Sequence, residues 1–174
     1  AGVIACPPSV RAAAMTNTIT YRQMEPDEAP AVSSLILGSF DEYIGPEYSP
    51  LGIKEFHKYV QPEMISARVG RDHLVVVAHT VDGLAGMIEI RQNNHVSLLF
   101  VGKRFQRQGI ARKLLHNALA EARQRTPDLE RVTVNSSRYG VPAYEKLGFR
   151  QTGPERTVKG IAFIPMALQY SSGT

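Results

Sequence analysis

Hydrophobic and polar positions fall into a regular pattern from Ile19 onward. Residues 19–22 read as a short strand. Asp27 stands where an N-cap is wanted, Pro30 suits a first turn, and Val32, Leu35, Ile36 and Phe40 share one helical face. Ser49-Pro50 repeats the signal for a second helix, with Ile53, Phe56 and Val60 at helical spacing and Pro62 ending it. Three strands form the middle of the chain. Residues 73–80 are β-branched and apolar, Asp82-Gly83 is a hairpin turn, and residues 84–91 alternate. Asn93-Asn94 then leads into residues 95–101, where Leu98, Leu99, Phe100 and Val101 form the continuous apolar run of a strand buried on both faces.

A helix over 109–123 follows, with Leu114, Leu115, Ala118, Leu119 and Ala122 as its buried stripe. Next come a strand over 131–135 and a short helix over 142–147 with Gly148 as its C-cap. Strands over 149–152 and 161–168 finish the pattern, Pro165 pointing to an edge or a bulge. No internal repeat and no linker divides residues 16–174. They read as one α+β domain with a mixed sheet. Residues 1–15 carry Pro7-Pro8 and lack the basic-then-apolar order of a secretory signal, so they read as a disordered leader or appended remnant, with Met15 a plausible start.

Composition narrows the class. The chain has 174 residues, 43% hydrophobic and 21% charged, which fits a single globular domain and argues against disorder. Cys6 is the sole cysteine, so an internal disulfide framework and a Cys-based metal cluster are excluded. His57, His73, His79 and His116 have no metal-ligand spacing, and no metal is expected. No apolar run approaches the roughly 18 residues that span a bilayer, so no membrane partner is expected and the location reads as cytoplasmic.

The net charge of +4 is mild but unevenly spread. From Ile90 to Ala120 there is no Asp or Glu, while Arg91, Lys103, Arg104, Arg107, Arg112 and Lys113 supply six positive charges. Within this stretch, Gln106-Arg107-Gln108-Gly109-Ile110-Ala111 joins the apolar strand to the amphipathic helix. No Ser, Thr, Asp or Asn lies between Gly102 and Ala111 to cap the first N–H groups. Gly109 and Ala111 keep the loop small, and an anion such as a phosphate is the natural cap for such an end. A solvated basic helix end has the same composition.

These residues resemble the GNAT superfamily of N-acetyltransferases, over residues 19–170. Gln106-x-x-Gly109-x-Ala111 after Leu99-Phe100-Val101 is similar to the family's signature, although Lys103 stands where many members have Pro. Asn135, followed by Tyr144 and Gly148-Phe149, is similar to a second family block. The resemblance implies a central mixed, mostly antiparallel sheet of six or seven strands flanked by about four helices. It also implies acetyl-CoA as co-substrate. The backbone of Leu99, Phe100 and Val101 would pair with the pantetheine arm. The amides of Arg107, Gln108, Gly109, Ile110, Ala111 and Arg112 would hold the pyrophosphate, and Asn135 would bond the arm or the acetyl end.

Acetyl transfer to an amine requires removal of the amine's proton, stabilisation of an oxyanion and protonation of the leaving thiolate. Tyr144 matches the family's general acid, or else packs beside Phe149. Glu89 shares a strand face with Met87 and Arg91 and is a candidate base, or else a solvent-facing carboxylate paired with Arg91 or a neighbouring strand. His95 is a weaker candidate, at a turn. A backbone N–H in segment 99–101 would hold the oxyanion. Because Cys6 is the only thiol, direct attack in a ternary complex is favoured over a covalent acetyl-enzyme.

The acceptor cleft of such proteins is lined by the first two helices and the loop between them. Here that loop offers Asp41, Glu42, Tyr43, Glu47 and Tyr48, followed by Phe56 and Tyr59. Carboxylates and aromatics suit a cationic amine, either a small molecule or a peptide terminus, and equally suit an ordinary acidic surface. Dimers are common among relatives, and the C-terminal strand with Pro165 is a possible homodimer interface. Two other readings stand beside this one. An acyl-CoA sensor would share the fold, and a nucleic-acid-binding module would use the basic segment. For the latter only Phe105 interleaves with the charges, so nucleic acid is not expected as a partner.

Overall fold

The computed structural model describes residues 18–170. The leader expected over 1–15 and Cys6 lie outside them. The chain opens with β1 (Thr20–Gln23) and a tight turn in which the Glu28 side chain accepts from the Glu25 N–H and pairs with Arg22 at 2.7 Å. That turn leads into α1 (Ala29–Tyr43), so the helix begins from Glu28 and Asp27 is not its cap. Ser49 caps α2 (Pro50–Tyr59), its Oγ accepting from the Gly52 N–H at 3.1 Å. Pro62 was expected only to end that helix. It also occupies the first turn of another, α3 (Pro62–Arg68), where its missing N–H costs nothing.

The meander is β2 (His73–Thr80), β3 (Gly83–Arg91) and β4 (His95–Val101). After α4 (Ile110–Arg125) come β5 (Arg131–Ser136), α5 (Val141–Lys146), β6 (Arg150–Gln151), β7 (Arg156–Val158) and β8 (Ile161–Gln169). Among the described residues the sheet has eight strands in the order β1-β2-β3-β4-β5-β8-β6, with β7 pairing β8. All neighbours are antiparallel except β4 and β5. The fold is mixed α+β, as the pattern predicted.

Two cores cover the sheet. On one face Leu74, Val76, Ile88, Ile90, Val96 and Val134 meet Ile110, Leu114, Ala118 and Leu119 of α4. On the other, Val75, Val77, Met87 and Leu98 meet Val32 and Ile36 of α1 and Ile65 of α3. The strands buried on both faces are β2 and β3. The run 98–101 departs from that expectation, for only Leu98 is buried and Leu99, Phe100 and Val101 are half-exposed. Pro165 is not at an edge either. β5 lies along one side of β8, while β6 and β7 share the other, and Pro165 falls where the second side passes from β6 to β7. Over residues 161–163 and 166–167, β8 is therefore paired on its second side.

Candidate active site

A bulge prepares the site. Ile90 pairs with Val96 and Glu89 with Leu98, so Ser97 is the extra residue that bends β4. β4 then keeps its parallel partner only at His95↔Thr133 and Val96↔Val134. Beyond this apex β4 and β5 diverge, leaving Leu99, Phe100 and Val101 along one wall of a cavity of about 1120 Å³.

α4 begins at the far end of that wall. Arg107 and Gly109 both take left-handed conformations, with φ of 62° and 75°, and this turns the chain sharply into the helix. No side chain caps α4. A Cβ on Gly109 would meet nothing within 4 Å, so the ground before the helix is open. Arg107, Gly109, Ile110, Ala111 and Arg112 border the cavity. Gln108 does not, its amide donating instead to the Arg104 carbonyl at 3.4 Å.

Five of the six positive charges are placed in three different ways. Lys103 is held by Glu42 at 2.7 Å, Arg104 lies over the Phe105 ring, and Arg91 stands at the apex across from His95. Arg107 and Arg112 remain on the cavity wall beside the helix start, Arg112 also donating to the Lys146 carbonyl at 2.8 Å.

Asn135 and Tyr144 enter the cavity from the β5 side. The Tyr144 ring meets Phe149 edge-on at 5.3 Å and 74°, so it is both a packing residue and a cavity residue. Burial pushes its phenol well above the ordinary tyrosine range, which keeps the proton on the oxygen.

Glu89 is not solvent-facing. It is fully buried, does not border the cavity, and its two oxygens accept from Arg68 Nε and Nη2 at 2.5 and 3.0 Å. Its main partner is therefore Arg68, not Arg91, and His73 Nε2 on the neighbouring strand β2 lies 3.9 Å from Oε1. Arg68 also donates to the Tyr59 carbonyl at 2.6 Å and lies 3.8 Å from the centre of the Tyr59 ring. Both oxygens of this carboxylate are thus engaged by Arg68, behind the Tyr59 ring that borders the cavity.

His95, expected as a surface residue at a turn, is half-buried at the apex and borders the cavity. Its Nδ1 bonds Thr133 Oγ1 at 2.7 Å, leaving Nε2 as the free ring nitrogen. Burial first, and Arg91 second, lower its pKa to about 4. Next to it, Ser97 Oγ is buried without a hydrogen-bond partner among the described residues.

The acidic loop contributes aromatics but no carboxylate. Tyr43, Tyr48, Phe56 and Tyr59 border the cavity; Asp41, Glu42 and Glu47 do not. Asp41 pairs with His57 at 2.8 Å and Glu42 with Lys103. Sequence reasoning missed the hairpin of β7 and β8, which closes the cavity with Val158, Lys159, Ile161 and Phe163. Ser49 Oγ donates to the Gly160 carbonyl at 3.0 Å and pins this hairpin to the start of α2. It missed Tyr139 too, which stacks on Tyr43 at 5.1 Å.

The model of the acetyltransferase (GNAT) domain matches residues 44–170. The chain belongs to the GNAT acetyltransferases. Solved GNAT structures share its fold at low identity. A GCN5-related N-acetyltransferase from Rhodopseudomonas palustris is 16% identical, with a TM-score of 0.74 over 88% of this chain and 96% of that one. The PaiA N-acetyltransferase of Thermoplasma acidophilum, solved with coenzyme A, is 18% identical, with a TM-score of 0.74 over 88% and 99%. A spermidine N-acetyltransferase SpeG chimera from Vibrio cholerae is 19% identical, with a TM-score of 0.56 over 87% and 95%. No curated protein is significantly similar to the chain in sequence. As a GNAT protein it has the fold of an acyl-transfer enzyme. Among its described residues no group of three or more His, Cys, Asp or Glu could hold a metal ion, and no helix is long and apolar enough to cross a membrane.

Proposed function

We propose that this GNAT chain transfers an acetyl group from acetyl-CoA to a primary amine by direct attack within a ternary complex. The observation that carries the reading is the single cavity joining the open side of β4 to the uncapped, carboxylate-free start of α4. An elongated amide-bearing arm fits the first part, and a pyrophosphate fits the second.

The residues suit coenzyme A in detail. The β4 backbone from Leu99 to Val101 would pair with the arm, with Asn135 facing it from β5. The open ground at Gly109, together with Arg107 and Arg112, would hold the phosphates. When bound, acetyl-CoA supplies the activated acetyl thioester. The chain's own groups then handle the protons. Tyr144, kept protonated by burial, donates to the departing sulfur. His95, neutral at physiological pH, accepts from the amine through its free Nε2, directly or through a water beside Ser97. Glu89 is left with the task of holding Arg68. Residues 18–170 contain no cysteine, so no thiol among the described residues can carry the acetyl group in a covalent step.

Calorimetry with acetyl-CoA and a thiol-release assay over an amine panel test the reading. Tyr144→Phe should lower kcat roughly 100-fold while changing acetyl-CoA affinity less than 3-fold. Gly109→Glu should instead weaken acetyl-CoA binding at least 100-fold, because it places an anion at the phosphate site. Wild-type protein that binds no acetyl-CoA would overturn the proposal, and binding without turnover on any amine would indicate a sensor.

A further inference from the structure

The charge at the acceptor end has the opposite sign to the one the sequence suggested. Of the carboxylates expected there, none borders the cavity, and two are already paired with His57 and Lys103. Three cations take their place: Lys58 from α2, Arg91 from β3 and Lys159 from the hairpin. None of the three has an ion-pair partner among the described residues, although several other basic side chains of this chain do. Glu55 is the one carboxylate among the lining residues, and Asp72 acts on Arg91 from outside the cavity, so cations outnumber carboxylates here with His95 neutral.

A polyamine entering such a mouth meets repulsion. A substrate carrying its own anion meets attraction, and Arg91 is the donor best placed to orient it. Arg91 and His95 are register partners across β3 and β4, at the apex where β4 and β5 begin to diverge, and both border the cavity. An anion engaged by Arg91 therefore leaves a group one carbon away beside His95 and Ser97. In an α-amino acid that group is the amine. Phe56, Tyr59 and Met64 also line the cavity and offer it apolar surface.

We propose that the acceptor is a free α-amino acid with an apolar side chain, its carboxylate held by Arg91 with Lys58 and Lys159 at the mouth. The inference rests on the acetyl-transfer reading above. The amine nitrogen bonds to the acetyl carbon, the carbon–sulfur bond breaks, the sulfur takes up a proton and the amine gives one up.

The experiment measures thiol release by the full chain with acetyl-CoA and L-phenylalanine, L-methionine, their two α-amides, or spermidine. Amidation lowers the basicity of the α-amine, so without a carboxylate site the amides should react faster. The expected result is kcat/KM at least 10-fold higher for an acid than for its amide, and lowest for spermidine. Arg91→Gln should reduce the acid-to-amide ratio at least 5-fold through KM for the acid. Lys58→Gln combined with Lys159→Gln should reduce it by a smaller factor. Calorimetric binding of acetyl-CoA checks that each variant is folded. Equal or faster reaction of the amides, preference for spermidine, or a ratio unmoved by both variants would overturn the inference while leaving acetyl transfer intact. Failure of the wild type to bind acetyl-CoA would overturn both.

Discussion

Burial pushes His95 and Tyr144 in opposite directions, and both end uncharged at neutral pH. For His95 this has a measurable consequence. Its folded pKa, about 4, lies below the 6.5 of an unperturbed histidine, so the unfolded chain binds the proton more readily. The stability that neutral His95 contributes is present in full above pH 6.5 and is lost as pH falls toward 4. With allowance for the ring's partial exposure, the loss should be about 1–2 kcal/mol. Urea midpoints at pH 7 and pH 4.5 should thus differ more for the wild type than for His95→Gln. The rate has a matching signature. Between pH 5.5 and 8, kcat/KM should follow the ionisation of the acceptor amine, with no limb near 6.5. A histidine limb near 6.5 would mean that the ring is more exposed to water than its position at the apex allows.

At the level of elements, the cavity is made by three local devices: the bulge at Ser97, the left-handed turn at Gly109 and the contact between Gly52 and Gly160. The last is the most easily tested. A Cβ on Gly52 would lie 2.3 Å from the Gly160 carbonyl oxygen, a backbone atom that cannot swing away. Gly52→Ala should therefore cost about 1–3 kcal/mol and push the hairpin off α2, raising KM for the acceptor more than for acetyl-CoA. Thermal melts and paired KM measurements check this. These devices differ in how far the sequence reveals them. The uncapped start of α4 is legible, because a cap is a local choice of residue and residues 102–111 contain none. α3 is not, since seven residues opened by a proline give too few turns for a period to emerge. The parting of β4 from β5 is hidden too. It depends on pairing between segments far apart in the chain, whereas an apolar run such as 98–101 looks the same against a core and along a cavity.

Across the whole molecule, the Arg68–Glu89 pair links the two scales, because it joins α3 to the central sheet directly beneath the acceptor wall. The partners are 21 positions apart and their side chains are 12% and 0% exposed, so no local pattern announces the pair. Arg68→Met would leave a buried carboxylate without its guanidinium and should cost about 3–5 kcal/mol. That corresponds to a fall in Tm of roughly 10 °C for a domain of this size. Adding Glu89→Leu removes the orphaned charge and should restore most of that loss, since apolar replacement of a buried ion pair is often close to neutral. The double variant also separates structure from chemistry. If Glu89 serves only to hold Arg68, the restored protein should keep kcat within about 10-fold of wild type; if Glu89 is the base, kcat should fall about 100-fold or more despite the recovered stability. Melting curves and thiol release on the same preparations decide between the two, and a fully active double variant would leave His95 as the proton acceptor at the apex.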